Sequence, residues 1–293
     1  MGYGWQIVSV DSRANLSLKD SNLIIKKDSG DNIVPLSQIK TLVINSQQCS
    51  LTVPLINELS NEGIKLILCD SKHNPCCEML PKENGFSNPG IVIKQAKWDE
   101  YYKDQVWMDI VKNKIMCQIN NLIECCSFYP VKMMDYYRNV TPGDKFNMEG
   151  QAARLYFNTL FGTGFNRRDL SDINGALNYG YTVLLSNINR IVSSHGYNLT
   201  LGINHHSMRN PYNLSCDIIE PFRVVIDKIV FHNQGRQLDN EYKAELISSL
   251  NKSIKYEGKE YKIDDAIEIY FKRIVDVLNN SNYREIGEIE IAG

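Results

Sequence analysis

Near residue 90 of this 293-residue chain the apolar residues change their spacing, and that change limits the fold more than any other feature. Before it they come in short runs broken by polar residues, the pattern of strands. Ile7-Val8-Ser9-Val10 is the first run; Leu16-Ser17-Leu18 and Leu23-Ile24-Ile25-Lys26 then flank Lys19-Asp20-Ser21-Asn22, a polar cluster of the hairpin kind. Ile33 to Leu36, Thr41 to Ile44 and Ile64 to Cys69 continue the series. One helical segment interrupts it over 51–62, with Leu55, Ile56 and Leu59 at helical spacing and Gly63 where a cap belongs. Pro81 to Gly90 is turn-forming throughout and marks a boundary. Beyond it Trp98, Tyr101, Tyr102, Val106, Ile110, Ile115 and Ile119 recur at helical spacing over 96–126. Further helices are predicted near 148–161, 172–195, 214–233, 240–252 and 264–279. The expected fold class is α+β: a small N-terminal β-domain over 1–85, then a larger all-α domain over 86–293 that carries the chemistry.

Composition narrows the class without naming a function. With 43% hydrophobic and 23% charged residues the chain is ordinary globular protein, long enough to bury a sizeable core. Met1 to Gln6 lacks a basic stretch followed by an apolar one, and no apolar run approaches the roughly 20 residues that span a bilayer. The expected location is cytoplasmic, away from membranes. A net charge of −2 neither favours nor opposes nucleic acid, because phosphate contacts need only a local basic face. The eight cysteines include the vicinal pairs Cys76-Cys77 and Cys125-Cys126 but no C-x-x-C, which fits reduced thiols better than disulfides or a zinc knuckle. There is no P-loop and no H-E-x-x-H; Gly162-Thr163-Gly164 lacks the third glycine of a dinucleotide fingerprint, and Ser194-His195-Gly196 lacks the first of a nucleophile elbow. Whatever chemistry occurs must run on scattered carboxylates and histidines.

Three places in the second half offer them. Glu149 opens Glu149-Gly150-Gln151-Ala152-Ala153-Arg154, with Ala152, Ala153 and Tyr156 three, four and seven positions on, so small residues beside the carboxylate would leave room for a bulky ligand. Gly202-Ile203-Asn204-His205-His206 runs into a polar loop from which one histidine could bind metal. In Asp217-Ile218-Ile219-Glu220-Pro221-Phe222-Arg223 the two acids are spaced i,i+3, on one helical face, and Pro221 forces a kink or restart. Taken singly, each has an ordinary reading: a first-turn glutamate favoured by the helix dipole, a surface histidine, and a Glu220–Arg223 surface ion pair. Together, carboxylates and one neutral imidazole make an oxygen-rich set suited to Mg²⁺ or Mn²⁺. Such a site can polarise a phosphodiester without any protein nucleophile.

At these residues the sequence resembles the CRISPR-associated adaptation integrases, the family of the first-numbered Cas protein. The resemblance covers essentially the whole chain and rests on E-G-x-A-A-R (149–154), L-N-Y-G-Y (177–181), G-x-x-H (202–205) and D-x-x-E-P-F-R (217–223). It implies that Glu149, His205 and Glu220 are the catalytic metal ligands, with Asp217 an alternative ligand or an acidic neighbour. It implies a reaction in which the 3′-OH of a captured double-stranded DNA fragment attacks a phosphodiester of a CRISPR repeat. It further implies a homodimer formed largely through the β-domains, two of which would flank a dimer of the small ferredoxin-like second Cas protein in a heterohexamer. Arg138, Lys145, Arg154, Arg167, Arg168 and Arg209 are the phosphate-contact candidates by nearness in the chain; Asp135-Tyr136-Tyr137-Arg138 interleaves aromatic and basic groups as strand-end binding favours, while the ordinary reading of Tyr136 and Tyr137 is helix packing. Two other functions use the same residues: a stand-alone metal-dependent nuclease of branched DNA, and a catalytically silent scaffold that only binds nucleic acid or protein.

Overall fold

The computed structural model describes residues 6–71, 75–79 and 89–291. The Met1–Trp5 end and residues 81–88 of the expected boundary stretch lie outside them. The chain divides into two compact units, one of residues 1–89 with 193–197, the other of residues 90–192 with 198–293.

In the first unit the short apolar runs become strands. Among the described residues they are β1 (Gln6–Val10), β2 (Ala14–Lys19), β3 (Asn22–Lys27), β4 (Gly30–Pro35), β5 (Ile39–Ile44), β6 (Cys49–Leu51), β7 (Lys65–Cys69) and β8 (Pro75–Met79), with the helix α1 (Val53–Asn61) before β7. Two four-stranded sheets result, ordered β1-β5-β7-β8 and β4-β3-β2-β6. The β2–β3 hairpin pairs Lys19 with Asn22 across Asp20 and Ser21, both at positive φ, the two-residue turn whose twist matches antiparallel strands. Val10, Leu16, Leu23, Ile25, Leu42, Ile44 and Leu66 from both sheets close over Leu55 and Leu59 of α1 in one buried cluster. Gly63, at φ +70, ends α1 as its position predicts. The strands β6 and β8 were not expected: the first is three residues long, and the second opens with a proline, tolerable on an edge strand at its first residue.

The second unit is largely helical: α2 (Pro89–Gln95), α3 (Glu100–Cys126), α4 (Val131–Arg138), α5 (Met148–Phe161), α6 (Asp172–Ser194), α7 (Asn213–Ile218), α8 (Arg223–His232), α9 (Asn240–Ser248) and α10 (Ile263–Asn280). It is not helical throughout. The strands β9 (Ser253–Tyr256), β10 (Lys259–Lys262) and β11 (Ile289–Glu290) form a small sheet in the order β10-β9-β11. The predicted helix over 214–233 is three pieces, α7, a single 3₁₀ turn over Glu220–Phe222 and α8, because Pro221 cannot donate into a continuing helix.

The spine of this unit is α3, 27 residues and therefore about 40 Å long. Asp99 caps it, accepting from the Tyr101 N–H at 2.8 Å. It is buried on most of its circumference, so polar as well as apolar residues lie inside: Val106, Trp107, Ile110, Ile115 and Leu122, but also Asp109, Asn113, Lys114, Gln118 and Asn121. Buried polar groups need partners. Asn113 donates to the Gly287 carbonyl at 2.9 Å and accepts from the Ile289 N–H at 3.2 Å; Asp109 accepts from the Tyr283 hydroxyl at 3.0 Å. These bonds latch residues 283–289 onto α3. None of the helices among the described residues is long and apolar enough to cross a membrane, and all eight cysteines are free thiols.

Ile110 has no exposed surface. Ile110→Ala should therefore lower the unfolding free energy of this unit by about 2–5 kcal/mol, read as a shifted denaturant midpoint at unchanged slope.

Candidate metal centre

Glu149 stands in the first turn of α5, where unpaired N–H groups favour a carboxylate. That turn is capped twice over. Asp144 accepts from the N–H groups of Met148 and Glu149, each at 2.9 Å, and Asn147, in left-handed backbone at φ +52, accepts from the Gly150 N–H at 3.1 Å. A Cβ on Gly150 would lie 2.6 Å from the Asn147 amide oxygen, so the glycine after Glu149 keeps this cap possible. Ala152 and Tyr156 are fully buried, and this face of α5 packs into the core instead of leaving room for a bulky ligand.

Glu149 and Glu220, 71 positions apart, converge on one cation. The Lys114 ammonium lies 2.5 Å from Glu149 Oε1 and 2.5 Å from Glu220 Oε2. The other Glu220 oxygen accepts from Arg223 Nε at 3.1 Å and Nη2 at 3.0 Å. Glu220 is buried, so its ion pair with Arg223 is not the surface contact its spacing allows. Burial alone would raise the Glu220 pKa, but Arg223 and Lys114 outweigh it and hold the carboxyl at about 2. Burial works against the Lys114 charge in the same way, and Glu220 and Glu149 overcome it to raise the Lys114 pKa.

Asp217 and Glu220 serve different ends of the site. The Asp217 carboxylate has no exposed surface and is fully occupied. It accepts from the N–H groups of Ile203 at 2.5 Å, Asn204 at 3.2 Å and His205 at 3.0 Å, and it meets His205 Nδ1 at 2.7 Å. With both oxygens engaged, Asp217 fixes the loop and the ring of His205 and leaves the opposite nitrogen, Nε2, to present its lone pair. The hydrogen bond from Asp217 outweighs partial burial and raises the His205 pKa. Gly202 permits the tight loop, since a Cβ there would lie 2.3 Å from the His205 carbonyl oxygen and 2.8 Å from an Asp217 oxygen. The rest of the loop is pinned by two buried amides. Gln95 donates to the carbonyls of Asn198 at 2.9 Å and Leu201 at 2.8 Å, and Asn213 to those of Thr200 at 3.1 Å and Ser207 at 3.0 Å. The Trp107 ring meets the imidazole edge-on at 5.8 Å.

Arg223 is supported from behind. Its guanidinium lies 4.7 Å from the centre of the Tyr181 ring. The Tyr181 hydroxyl donates to buried Asp227, which also accepts from the Tyr156 hydroxyl at 2.9 Å. Asn121 of α3 in turn donates to Tyr156 at 2.8 Å. Burial raises the Asp227 pKa to about 6 despite both tyrosine bonds.

Of the six expected phosphate contacts, Arg138, Lys145, Arg154, Arg168 and Arg209 are exposed. Arg167 is committed within the fold: it donates to Asn174 and, at 2.8 Å, to Asn178, and stacks on Phe157 and Tyr181. Beside α5 an open hollow of about 690 Å³ is lined by Lys132, Tyr136, Arg138, Phe146 and Gln151 among others, so Tyr136 and Arg138 share it. The cations nearest the carboxylates, Lys114 and Arg223, were not among the six.

The donor set fits a hard divalent cation. Two carboxylate oxygens already share one cation, and the neighbouring imidazole has its far nitrogen held by a carboxylate, as metal-binding histidines do. No group of three or more His, Cys, Asp or Glu among the described residues is assembled at metal-binding distances, so the imidazole and the carboxylate pair would have to close on an ion.

The family model for CRISPR associated protein Cas1 matches residues 8–253. A CRISPR-associated endonuclease Cas1 of Neisseria meningitidis serogroup C (strain 8013) is 34% identical over 270 residues, 90% of this chain and 89% of that protein. Among solved structures, a casposase bound to its integration product superposes with a TM-score of 0.77 at 17% identity, covering 96% of this chain and 92% of that one. A Cas6-RT-Cas1–Cas2 complex contains a chain that matches with a TM-score of 0.70 at 18% identity, over 96% of this chain and 36% of that one.

Two outcomes follow from the geometry. Asp217→Ala should speed hydrogen exchange of the 203–205 amides at least about tenfold, because an amide bond worth about 1.4 kcal/mol protects by that factor. For Asp227 the folded pKa of about 6 lies above the ordinary carboxylate value of 3.8, so the folded state binds the extra proton between those limits and stability falls as pH rises through them. The stability of Asp227→Asn relative to the parent should accordingly rise from pH 4 to pH 6, by on the order of 3 kcal/mol in denaturant melts, and level off above.

Proposed function

The chain belongs to the Cas1 family, the endonuclease/integrase of CRISPR adaptation, and from that premise we propose both its reaction and the residues that carry it. The reaction is transesterification. The 3′-oxygen of a captured DNA fragment forms a bond to a phosphorus of the CRISPR repeat, the bond from that phosphorus to the repeat's own 3′-oxygen breaks, and the proton lost by the attacking hydroxyl is balanced by one gained at the leaving oxygen. One phosphodiester replaces another, so no nucleotide cofactor is required. The convergence of Glu149 and Glu220 on a single cationic point beside an oriented His205 is the observation that carries this reading.

Glu149, Glu220 and His205 through Nε2 would hold Mg²⁺ or Mn²⁺. A bound ion would supply Lewis acidity to the phosphate under attack and to the departing oxygen. The protein supplies the rest. Arg223 holds Glu220 ionised and in place, and Asp217 keeps the proton of His205 on Nδ1 so that Nε2 presents a lone pair. Exposed Arg138, Lys145, Arg154, Arg168 and Arg209 offer charge for phosphates, and Tyr136 a ring on which a terminal base could stack.

The working form in this reading is a homodimer through residues 1–85, with residues 86–293 catalytic, joined to the small second Cas protein in a heterohexamer. The similarity of the chain to part of a Cas1–Cas2 complex supports the partner, and its similarity to a casposase bound to an integration product supports joining over cleavage alone.

A strand-transfer assay tests this, with purified protein, the small partner, a labelled short duplex and a supercoiled repeat plasmid, in Mn²⁺ or in EDTA. Joined product should require Mn²⁺ and fall at least about a hundredfold in Glu149→Ala, His205→Ala and Glu220→Ala, the order of loss when a charge-stabilising group is removed. Cleavage without joining, with the partner present, would replace integration by nuclease action; no metal-dependent chemistry would leave a scaffold.

A further inference from the structure

The metal reading explains the two glutamates and the histidine. It leaves Lys114 without a role, although this is the residue that touches both carboxylates. Lys114 lies on α3, one helical turn after Ile110, and its aliphatic stem runs through the buried side of that helix. A lysine in such a place loses its hydration and keeps its charge only through what it meets at the tip. It meets Glu149 and Glu220 and takes one oxygen from each, at equal distances of 2.5 Å.

A magnesium ion holds its oxygens at about 2.0–2.1 Å. The Lys114 nitrogen, 2.5 Å from one oxygen of each glutamate, already fills the space that an ion taking both oxygens from that side would need, and the two cations cannot share it. Charge leads the same way. The two carboxylates are balanced by two cations, Lys114 and Arg223, and the next acid, Asp217, is spent on three N–H groups and an imidazole. A divalent ion arriving from water meets a carboxylate pair that is already neutralised. Of the two resident cations Arg223 is the fixed one, with two bonds to a single glutamate oxygen and a tyrosine ring beneath it. Lys114 has a flexible stem and no ring contact among the described residues.

Taking Glu149 and Glu220 as metal ligands, we propose that Lys114 is a resident counter-cation of the metal centre: it holds the two glutamates together in the metal-free protein and must be displaced for a divalent ion to bind. Metal uptake is then an exchange of one cation for another. Without Lys114 the two carboxylates would repel across the site, so the same side chain that preserves the shape of the empty centre weakens its affinity for the ion.

The test is metal binding, not activity. Free Mn²⁺ is followed by its paramagnetic resonance signal as MnCl₂ is titrated into the purified full-length chain and into Lys114→Met, Lys114→Gln, Lys114→Arg and Glu220→Gln. The neutral variants should bind Mn²⁺ about tenfold more tightly or better, because a unit charge removed from roughly 4 Å is worth more than that in a protein-like dielectric. They should also melt at lower temperature in EDTA, while Lys114→Arg stays near the parent in affinity. Unchanged or weaker binding in both neutral variants overturns the exchange. Parent binding that Glu220→Gln leaves intact sinks the metal-centre reading itself, and this inference with it. Should the neutral variants fail to fold, the parent decides: in protein labelled with ¹³C at lysine Cε, the Lys114 resonance should move on adding Mg²⁺, and an unmoved resonance at saturating Mg²⁺ overturns the proposal.

Discussion

Glu220 is a carboxylate with almost no access to water, and its charge is tolerable there only because cations lie against both of its oxygens. Much of the second unit can be traced from that requirement. Lys114 must reach in from α3, which is why a charged residue lies on the buried side of the longest helix. Arg223 must start α8 directly after the proline-induced turn, which places its guanidinium over Tyr181 of α6. Tyr181 needs an acceptor, found in Asp227 one turn further along α8, and Asp227 brings Tyr156 of α5 and Asn121 of α3 into the same network. Four helices are thus tied by polar contacts radiating from one ion. Removing a single partner of such a buried pair costs about 3–5 kcal/mol, so the same contacts that shape the centre contribute to keeping the unit folded.

A second requirement governs the other side of the site. The loop carrying His205 has no regular secondary structure, yet its backbone is held at residues 198, 200, 201, 203, 204, 205 and 207 by Gln95, Asn213 and Asp217. Backbone groups left unpaired in a buried loop are costly, and side-chain amides and carboxylates pay that cost where no strand or helix is available. The loop is therefore rigid by hydrogen bonding while remaining irregular, which suits a side chain that must face a fixed direction.

Much of this was legible in the sequence, and the exceptions have physical causes. The switch from short apolar runs to helical spacing separates the sheets of the first unit from the helices of the second, and Asp20-Ser21 and Gly63 carry the backbone conformations their residue types favour. The strands β9 and β10 had a readable signal, since Ser253-Ile254-Lys255-Tyr256 alternates exposed and buried residues before Glu257-Gly258 at positive φ; four residues between two helical patterns pass easily for a loop. At the candidate metal centre, Glu149, His205 and Glu220 stand out through their local spacing, but what supports them does not. Lys114 sits in Lys112-Asn113-Lys114, which reads as the solvated face of a helix; only its place one turn from Ile110 and one turn before Gln118 hints at burial. Arg167 shows the opposite case. Its neighbours in the chain look like an exposed basic loop, while the asparagines that engage it lie a turn or more away on α6. Asp217 shares a face with Glu220 on paper, but the proline after Glu220 and the loop before α7 give the two carboxylates different partners.

The latch of residues 283–289 on α3 has a consequence for how the protein is made. The last residue of α3 is 126, and the first of its latch is 283, so the ribosome must add a further 157 residues before Asp109 and Asn113 meet the groups that latch onto them. At about 5–20 residues per second that is a wait of roughly ten to thirty seconds, long compared with the collapse of a chain of this size. During that interval Asp109 and Asn113 have only water or passing groups to bond. That one side of the central helix therefore stays hydrated until residues 283–289 arrive, and its dry packing is among the later events of biosynthesis.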